Sequence, residues 1–389
     1  MTALKRLDAA FVQARPSQAV MQALGDAWFV GGCIRDALYG LEVADVDMAT
    51  PLLPEEVIRR LEAAGIRAIP TGLSHGTVTA VAHSTPIEIT TFRADVATHG
   101  RHADVAFTDD MSTDASRRDF TMNALYADAG GHVVDPLGGL PDLLARKVRF
   151  IGDPRQRIRE DYLRILRFFR FHVWYGAGNI DAPGLTAVTE LAEGIECLAR
   201  ERIGWEFRRI LAAPDPVAVI SLMEATLVLE RCLPGADPSL LASLLRAERA
   251  AGAKPDWLLR LAALDGSKPV AALRLSRAEA AALADIRRAL ADDLPIAQLA
   301  YRHGEDAARR AALLRGAMSG VVPPALEAEI ARGTASQFPL AASDLIAGGM
   351  TPGPELGQAL GQAEARWLAS DFTLEKRALL GQVLPARKE

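Results

Sequence analysis

Hydrophobic spacing divides the chain into two parts. Up to about residue 150, short apolar runs such as AWFVGG, VADVDMAT and HVVDP are separated by glycine and polar turns, which predicts short strands. The segment GTVTAVAHSTPIEITTFR predicts a hairpin of two strands with its turn near Ser84 to Pro86. From about Asp153 onward, helical spacing dominates and the β-branched runs disappear.

The pattern therefore predicts an α+β protein. Residues 1–150 are expected to form a small head of mixed sheet and helices, in which AWFVGGCIRDALYG forms a strand, a glycine turn and a helix. An all-helical remainder is expected to divide into residues 151–213 and residues 214–389. The alanine-rich stretch from Ala278 to Ala291 is predicted to be an ordinary helix.

Composition narrows the classes of protein that remain. The chain has no run of 18 apolar residues, so no membrane span is expected. Its three cysteines have no metal-ligand spacing, and a reducing cytoplasm is the expected compartment. The net charge of −5 argues against general coating of nucleic acid, although a local basic surface remains compatible with it.

Two carboxylates lie two residues apart in VADVDMAT. If Asp45 and Asp47 share a strand, both point to the same face and repel each other unless a cation lies between them. Mg²⁺ fits, because it takes one or two carboxylates together with phosphate oxygens. Glu88, on the strand IEITTFR, is a candidate third carboxylate, and Arg93 at its end can reach phosphate. Alone, this pattern also describes a solvated strand end.

A glycine pair precedes these carboxylates. Gly31 and Gly32 follow the strand WFV and open a helix that carries Arg35 and Asp36. Glycine lets the backbone approach a ligand closely, and a helix N-terminus favours phosphate. A simple turn explains the glycines alone. The combination of Gly-Gly-x-x-Arg-Asp with an Asp-x-Asp that begins nine residues after Asp36 is more specific, because it places a phosphate cradle and a metal site in one strand–helix–strand unit.

The segment SRRDFTMNALYAD places Arg117, Arg118 and Asp119 before a predicted amphipathic helix. Two arginines and a carboxylate suit phosphate and ribose hydroxyl contacts. The alternative is that Asp119 caps the helix. Both roles are compatible.

The segment from Ile158 to Phe171 is predicted to be one amphipathic helix. Asp161 and Arg164 lie three residues apart on it, so an ordinary ion pair is one interpretation. The other is base recognition. Adenine and cytosine each present an amino donor beside a ring-nitrogen acceptor, which a carboxylate and a guanidinium complement. Uracil and guanine present a carbonyl beside an N–H, and would be rejected.

The stretch from Arg146 to Arg170 is locally basic. It carries nine basic and three acidic residues in a chain that is acidic overall. An RNA backbone could bind there. Salt-bridged packing between domains is the alternative.

Together these segments resemble the successive motifs of the bacterial-type (class II) CCA-adding enzymes and poly(A) polymerases. The similarity is carried by FVGGCIRDALYG…ADVDMAT, SRRDFTMNALYAD, VVDPLGGLPDL and REDYLRILRFFRF, with GRHADVAFTDD similar to the family's mobile loop and ARERIGWEFRRIL to its fifth motif. It is dense over residues 27–212. One departure is Ala199, where the fifth motif usually begins with serine.

The resemblance implies a nucleotidyltransferase head, a helical neck and a helical body and tail that bind tRNA, without an obligate protein partner. CTP and ATP are the implied substrates and Mg²⁺ the implied cofactor. Asp45 and Asp47 would hold the metal, with Glu88 as a third catalytic carboxylate. The implied nucleotide-binding residues are Gly31, Gly32, Arg35, Arg93, Arg118, Asp119, Asn123, Asp161, Arg164 and Arg167.

Three other functions remain open from the sequence. The first is a poly(A) polymerase, against which stands the lack of a long basic C-terminal extension. The second is an enzyme that adds only CC or only A, a distinction expected to depend on the loop from His99 to Asp110. The third is a catalytically silent RNA-binding protein, which an intact Asp-x-Asp argues against.

Overall fold

The computed structural model describes residues 6–99 and 102–384. It divides into two compact units, which are described separately. The first consists of Met1–Pro234 with Ala271–Arg274, and the second of Gly235–Val270 with Leu275–Glu389. No described helix is both long enough and apolar enough to cross a membrane.

The first unit contains a seven-stranded sheet and a separate two-stranded ribbon. The sheet has the order β3-β4-β5-β2-β1-β8-β9, and the ribbon pairs β6 with β7. Among the strands of the described residues, only β2 and β5 pair in parallel. The strands are β1 (Trp28–Val30), β2 (Asp47–Thr50), β3 (Arg67–Gly72), β4 (Thr77–Ala82), β5 (Thr85–Thr91), β6 (Arg93–His99), β7 (His102–Phe107), β8 (Tyr126–Ala127) and β9 (Val133–Val134).

Twelve helices belong to the part of this unit that the structure describes. They are α1 (Ala10–Gln13), α2 (Arg15–Leu24), α3 (Gly32–Leu38), α4 (Pro54–Ala63), α5 (Met111–Ser116), α6 (Leu140–Leu144), α7 (Pro154–Glu160), α8 (Leu163–Tyr175), α9 (Ala182–Glu190), α10 (Arg200–Leu211), α11 (Val217–Ala225) and α12 (Val228–Cys232). Short 3₁₀ helices lie at Leu73–His75, Thr121–Asn123 and Ala192–Cys197.

The predicted α+β class and its order of elements are confirmed. The first glycine-rich segment forms β1, a turn and α3, and the predicted hairpin is β4–β5. Its turn lies at His83 and Ser84, whose φ angles of 48° and 64° are left-handed. The segment that resembles the family's mobile loop contains all of β7, while its residues 100–101 lie outside the described residues.

Three local predictions are wrong. Strand β2 begins at Asp47, so Asp45 precedes the strand and the same-face argument does not apply to the pair. The helix predicted from Ile158 to Phe171 is interrupted, because Asp161 has extended backbone angles between α7 and α8. The segment after Asp119 forms only a 3₁₀ turn, for which Phe120 is the N-cap.

The second unit is entirely helical within its described residues. Its helices are α13 (Leu241–Ala250), α14 (Trp257–Leu264), α16 (Arg277–Ala291), α17 (Ile296–His303), α18 (Glu305–Ser319), α19 (Leu326–Ala335), α20 (Ala342–Ala347), α21 (Pro354–Ala369) and α22 (Lys376–Val383), while α15 (Pro269–Ala272) lies where the chain passes between the units. The predicted alanine-rich helix is α16, which begins with a capping box between Ser276 and Glu279.

Candidate active site

Nine of the ten residues predicted to bind nucleotide line one cleft of the first unit. The cleft has a volume of about 390 Å³ and is lined by Gly31, Gly32, Arg35, Arg118, Asp119, Asn123, Asp161, Leu163, Arg164, Arg167, Phe171 and Arg202. Five of these side chains are guanidinium groups, so the cleft suits an anionic ligand. Arg93 is the predicted residue that does not line it.

The turn between β1 and α3 requires glycine at its first position. Gly31 has a φ of 73°, and a Cβ there would lie 3.2 Å from Nη1 of Arg118 and 3.7 Å from the carbonyl oxygen of Asn123. A side chain would therefore strain the backbone and press on two residues of the cleft. Without one, the backbone at the start of α3 stays close to the cleft.

Arg35 is held almost completely by its neighbours. Its Nε and Nη2 donate to Asp36 at 2.9 and 3.1 Å, Nη2 also donates to the hydroxyl of Tyr175 at 2.9 Å, and Nη1 donates to Oδ1 of Asn123 at 2.8 Å. The guanidinium also lies over the Tyr175 ring, 3.9 Å from its centroid. A guanidinium has five N–H groups. Within the described part of the chain, one N–H of Nη1 is left for a ligand.

Asp119 forms the centre of a second hydrogen-bond network. Its Oδ1 accepts from the backbone N–H of Phe120 at 2.8 Å and from Nδ2 of Asn123 at 2.9 Å, while Oδ2 accepts from Nε of Arg167 at 2.7 Å. Burial alone would raise the pKa of Asp119, but Arg167, Asn123 and the Phe120 N–H lower it to about 2. The carboxylate stays ionised at neutral pH and fixes Asn123 and Arg167 at the cleft wall.

The alternative interpretation of Asp161 and Arg164, an ordinary ion pair between them, is wrong. Oδ2 of Asp161 accepts from Nη2 of Arg202 on α10 at 2.7 Å, and Oδ1 accepts from the backbone N–H of Leu163 at 3.1 Å. Arg164 instead donates from Nη1 to Oε2 of Glu160 at 2.6 Å. The extended backbone at Asp161 separates it from the helical turn that the pairing required. Both side chains nevertheless line the same cleft.

A buried carboxylate on α10 contacts two arginines of α8, one of which lines the cleft. Glu206 is fully buried and accepts from Nε of Arg170 on α8, and its Oε1 lies 3.8 Å from Nη1 of Arg167. The sequence reasoning assigned no role to Arg202 or Glu206. Both lie in the fifth motif, ARERIGWEFRRIL. The sequence feature that could have identified them is a polar side chain on a helix whose neighbouring apolar residues are buried.

The predicted carboxylates lie close together where β2 pairs with β5. The parallel pairing places Asp47 opposite Glu88 in register. Burial, and then the charges of Glu88 and Asp45, raise the pKa of Asp47 to about 6, and Arg118 opposes this shift. Arg118 therefore connects the carboxylates to the cleft. Among residues 6–99 and 102–384, no three His, Cys, Asp or Glu side chains are arranged to hold a metal ion by themselves.

Arg93 lies at the start of β6, whereas the sequence placed it at the end of the strand that carries Glu88. Its guanidinium donates to the carbonyl oxygen of His75, and its backbone N–H donates to Oδ1 of Asp114 at 3.3 Å. Asp114, which the sequence reasoning missed, is buried and accepts from Arg118 at 3.1 Å and from the hydroxyl of Tyr126 at 2.6 Å. It therefore positions Arg118 beside the cleft.

The basic stretch is largely neutralised. Seven of its nine cationic side chains pair with carboxylates: Lys147 with Asp181, Arg149 with Asp142, Arg155 with Glu190, Arg157 and Arg164 with Glu160, Arg167 with Asp119, and Arg170 with Glu206. Most of these partners lie outside the stretch, so counting charges within it overstates the local excess. The geometry favours salt-bridged packing over a general RNA-binding strip.

Two family models match the chain. Residues 27–149 match the poly A polymerase head domain, and residues 179–240 match a probable RNA and SrmB-binding site of polymerase A. The first match contains the glycine turn, the carboxylates and Asp119. The second contains Arg202 and Glu206.

Relatives extend the similarity over the full length. The CCA-adding enzyme of Levilactobacillus brevis is 32% identical over 98% of this chain and 99% of its own. The mitochondrial CCA tRNA nucleotidyltransferase 1 of Mus musculus is 33% identical over 91% of this chain and 85% of its own. The crystal structure of the Bacillus stearothermophilus CCA-adding enzyme in complex with CTP superposes with a TM-score of 0.74 at 27% identity, covering 96% and 97% of the two chains.

Proposed function

Because this chain belongs to the family of CCA-adding enzymes, the CCA tRNA nucleotidyltransferases, we propose that it adds C, C and A to the 3′ end of tRNA from CTP and ATP. The resemblance inferred from the sequence is confirmed at the level of the family. The observation that carries the proposal is the cleft, in which residues from four sequence motifs meet beside the carboxylates of β2 and β5.

The reaction class uses a divalent metal ion, and we propose Mg²⁺. The donor set fits, because burial and then the charges of Glu88 and Asp45 raise the pKa of Asp47. A cation would relieve the repulsion among these carboxylates. Mg²⁺ is normally held by one or two carboxylates with substrate phosphates. Asp45 and Asp47 would hold it, with Glu88 beside them. When bound, it would lower the pKa of the tRNA 3′-hydroxyl and stabilise the pyrophosphate leaving group.

The chain's own residues would orient the two reactants. The remaining N–H of Arg35 and the backbone at Gly31 and Gly32 would contact the triphosphate. Asp119, through Asn123 and Arg167, would hold the ribose and phosphates. The 3′-hydroxyl oxygen of the tRNA then bonds to the α-phosphorus, the bond to the β-phosphate breaks, and the hydroxyl proton is released with pyrophosphate. Most of the acceleration would come from positioning and charge neutralisation.

Base selection would use Asp161 and Arg164 separately. Each would exchange a present partner for the base, with Asp161 accepting from the amino group and Arg164 donating to the adjacent ring nitrogen. The ion pairs with Arg202 and Glu160 would hold the side chains in place until the nucleotide arrives. Only cytosine and adenine present that donor beside that acceptor, so one site would serve both.

The test uses tRNAs that end before CCA, after C and after CC, each offered a single nucleoside triphosphate. The proposal predicts CMP addition to the first two and AMP addition to the third. Repeated AMP addition to any of them would indicate a poly(A) polymerase. CMP without AMP, or AMP without CMP, would indicate a partial enzyme. No addition in any reaction would favour a silent RNA-binding protein.

We retain two further inferences as proposals. The division into a head of residues 1–150, a neck of residues 151–213 and a body and tail of residues 214–389 follows the family resemblance, and limited proteolysis tests it. A cytoplasmic location agrees with the free cysteines Cys33, Cys197 and Cys232. Fractionation of the source cell tests that location.

A further inference from the structure

Two tryptophans to which the sequence analysis assigned no role lie exposed on neighbouring helices. Trp174 on α8 is 43% exposed and Trp205 on α10 is 46% exposed. Nε1 of Trp174 donates to the carbonyl oxygen of Arg209 at 2.8 Å, and the guanidinium of Arg209 lies over the Trp205 ring, 3.5 Å from its centroid. These contacts hold both indoles in one patch. Trp174, Trp205 and Arg209 are called the tryptophan platform below.

The platform continues the cleft along the same two helices. Phe171 of α8 and Arg202 of α10 line the cleft. Trp174 and Trp205 each lie three residues further along, so each is the surface neighbour of a cleft residue. Three helical residues advance about 4.5 Å, so the tryptophans lie directly beside the cleft residues along each helix. A nucleic-acid strand whose end reaches the cleft can therefore pass over the tryptophan platform.

The side chains of the tryptophan platform indicate which class of ligand it binds. Exposed aromatic rings beside an arginine suit single-stranded nucleic acid, because bases stack on the rings and phosphates pair with the cation. Bases inside a duplex already have both faces covered by neighbours, so only unpaired nucleotides can use the rings. We propose that the platform binds the unpaired 3′-terminal nucleotides of the tRNA, one base stacking on an indole and a phosphate lying beside Arg209. The tRNA substrate is taken from the proposed function.

The experiment measures the dissociation constant of the full chain for two RNAs. One is a tRNA that ends in CC, and the other is a hairpin copy of its acceptor stem without unpaired nucleotides. The variants are Trp205→Ala, Trp205→Phe and Trp174→Ala. Leu53→Ala serves as a control, because Leu53 is an equally exposed hydrophobic residue, 51% exposed, that precedes α4.

Trp205→Ala is expected to raise the Kd for the tRNA about tenfold, the usual effect of deleting one base-stacking ring. Trp174→Ala is expected to weaken binding in the same direction. Trp205→Phe keeps an aromatic face and is expected to stay within about twofold of the wild type. The hairpin should bind all variants equally, and Leu53→Ala should match the wild type with both RNAs.

Three results would overturn the proposal. The first is unchanged tRNA binding by Trp205→Ala. The second is an equal loss of tRNA affinity with Trp205→Phe, which would indicate a purely structural role. The third is a parallel loss of affinity for the hairpin, which would place the contact on the paired stem. These measurements use binding alone, so they are independent of nucleotide addition. If the wild type binds tRNA but adds neither C nor A, the proposed function fails while the platform remains testable.

Discussion

At the scale of single residues, the identities of the cleft residues follow from the sequence, whereas their present partners do not. The Gly31–Gly32 pair and Asp119 were found because their residue types and spacing are specific. The alternative of an Asp161–Arg164 ion pair fails because a spacing of three residues implies contact only if the backbone is helical, and at Asp161 it is extended. Its actual partner, Arg202, is distant in sequence and no local pattern could identify it.

Asp161→Ala separates base recognition from structural support. Without the carboxylate, the amino group of C or A loses its partner and the carbonyl of U or G loses its repulsion. The variant should incorporate UMP and GMP more readily relative to CMP and AMP. Arg202→Ala is the matched control, because it breaks the same ion pair and keeps the carboxylate, so it should preserve the wild-type ratios. Unchanged ratios for Asp161→Ala, measured with four nucleotides on tRNA ending in CC, would refute base recognition.

Tyr175 is predicted to position Arg35 for the triphosphate. Tyr175→Leu removes both the hydroxyl partner and the ring beneath the guanidinium. A contact of this kind is worth about tenfold in binding when partly buried. The KM for CTP and ATP should therefore rise together by about that factor, with little change in kcat. Tyr175→Phe, which keeps the ring, should recover most of the affinity. A change confined to one nucleotide would contradict a role at the triphosphate.

At the scale of elements, the sequence predicted types of secondary structure better than their ends. The order of strands and helices follows from hydrophobic spacing, but β2 begins later and one predicted helix becomes α7 and α8. The ends depend on tertiary contacts. The break at Asp161 coincides with its ion pair to α10, which hydrophobic spacing along one segment does not encode.

A capping side chain at the N-terminus of α10 is predicted to stabilise the first unit. Ala199 occupies the N-cap position with extended angles and provides no side-chain hydrogen bond. Ala199→Ser would place an oxygen where it can accept from the backbone N–H of Glu201 or Arg202, which stabilises a helix by about 1 kcal/mol. For a unit of this size, the unfolding temperature should rise by about 2–4 °C.

Ala199→Val tests the same site without a capping group. Its side chain cannot accept a hydrogen bond, so the variant should show no increase in unfolding temperature. An equal rise in both variants would mean that packing, and not capping, limits the stability of this end of α10. A fall with serine would show that the backbone angles at Ala199 are not those of a free N-cap.

At the scale of the whole molecule, net charge was a poor guide to RNA contact. The chain is acidic overall, and the ion pairs of its basic stretch show that local sequence counts overstate local charge. Partners such as Glu190 and Asp119 come from other elements, so the pairing becomes visible only in three dimensions. The tryptophan platform could not be predicted from the sequence for the same reason, since Trp174 on α8 contacts Arg209 on α10 because the two helices pack against each other.

The Asp47 carboxylate of β2 is the point at which function and stability oppose each other. The raised pKa of Asp47 means that its folded state binds the proton more tightly than the unfolded state. Its contribution to stability is therefore full below about pH 4 and is lost as pH rises through about 6. At neutral pH the ionised group costs stability. The proposed role in binding a cation would account for this cost.

The most direct test of the account is nucleotide addition by Asp47→Asn. CMP addition to tRNA lacking CCA and AMP addition to tRNA ending in CC should both fall by more than about a hundredfold, since even the loss of an outer-shell partner costs a metal site 10- to 100-fold. The unfolding temperature at neutral pH should not fall, because the substitution removes repulsion from Glu88 and Asp45. Near-normal addition of either nucleotide by a folded variant would contradict a single catalytic site at these carboxylates.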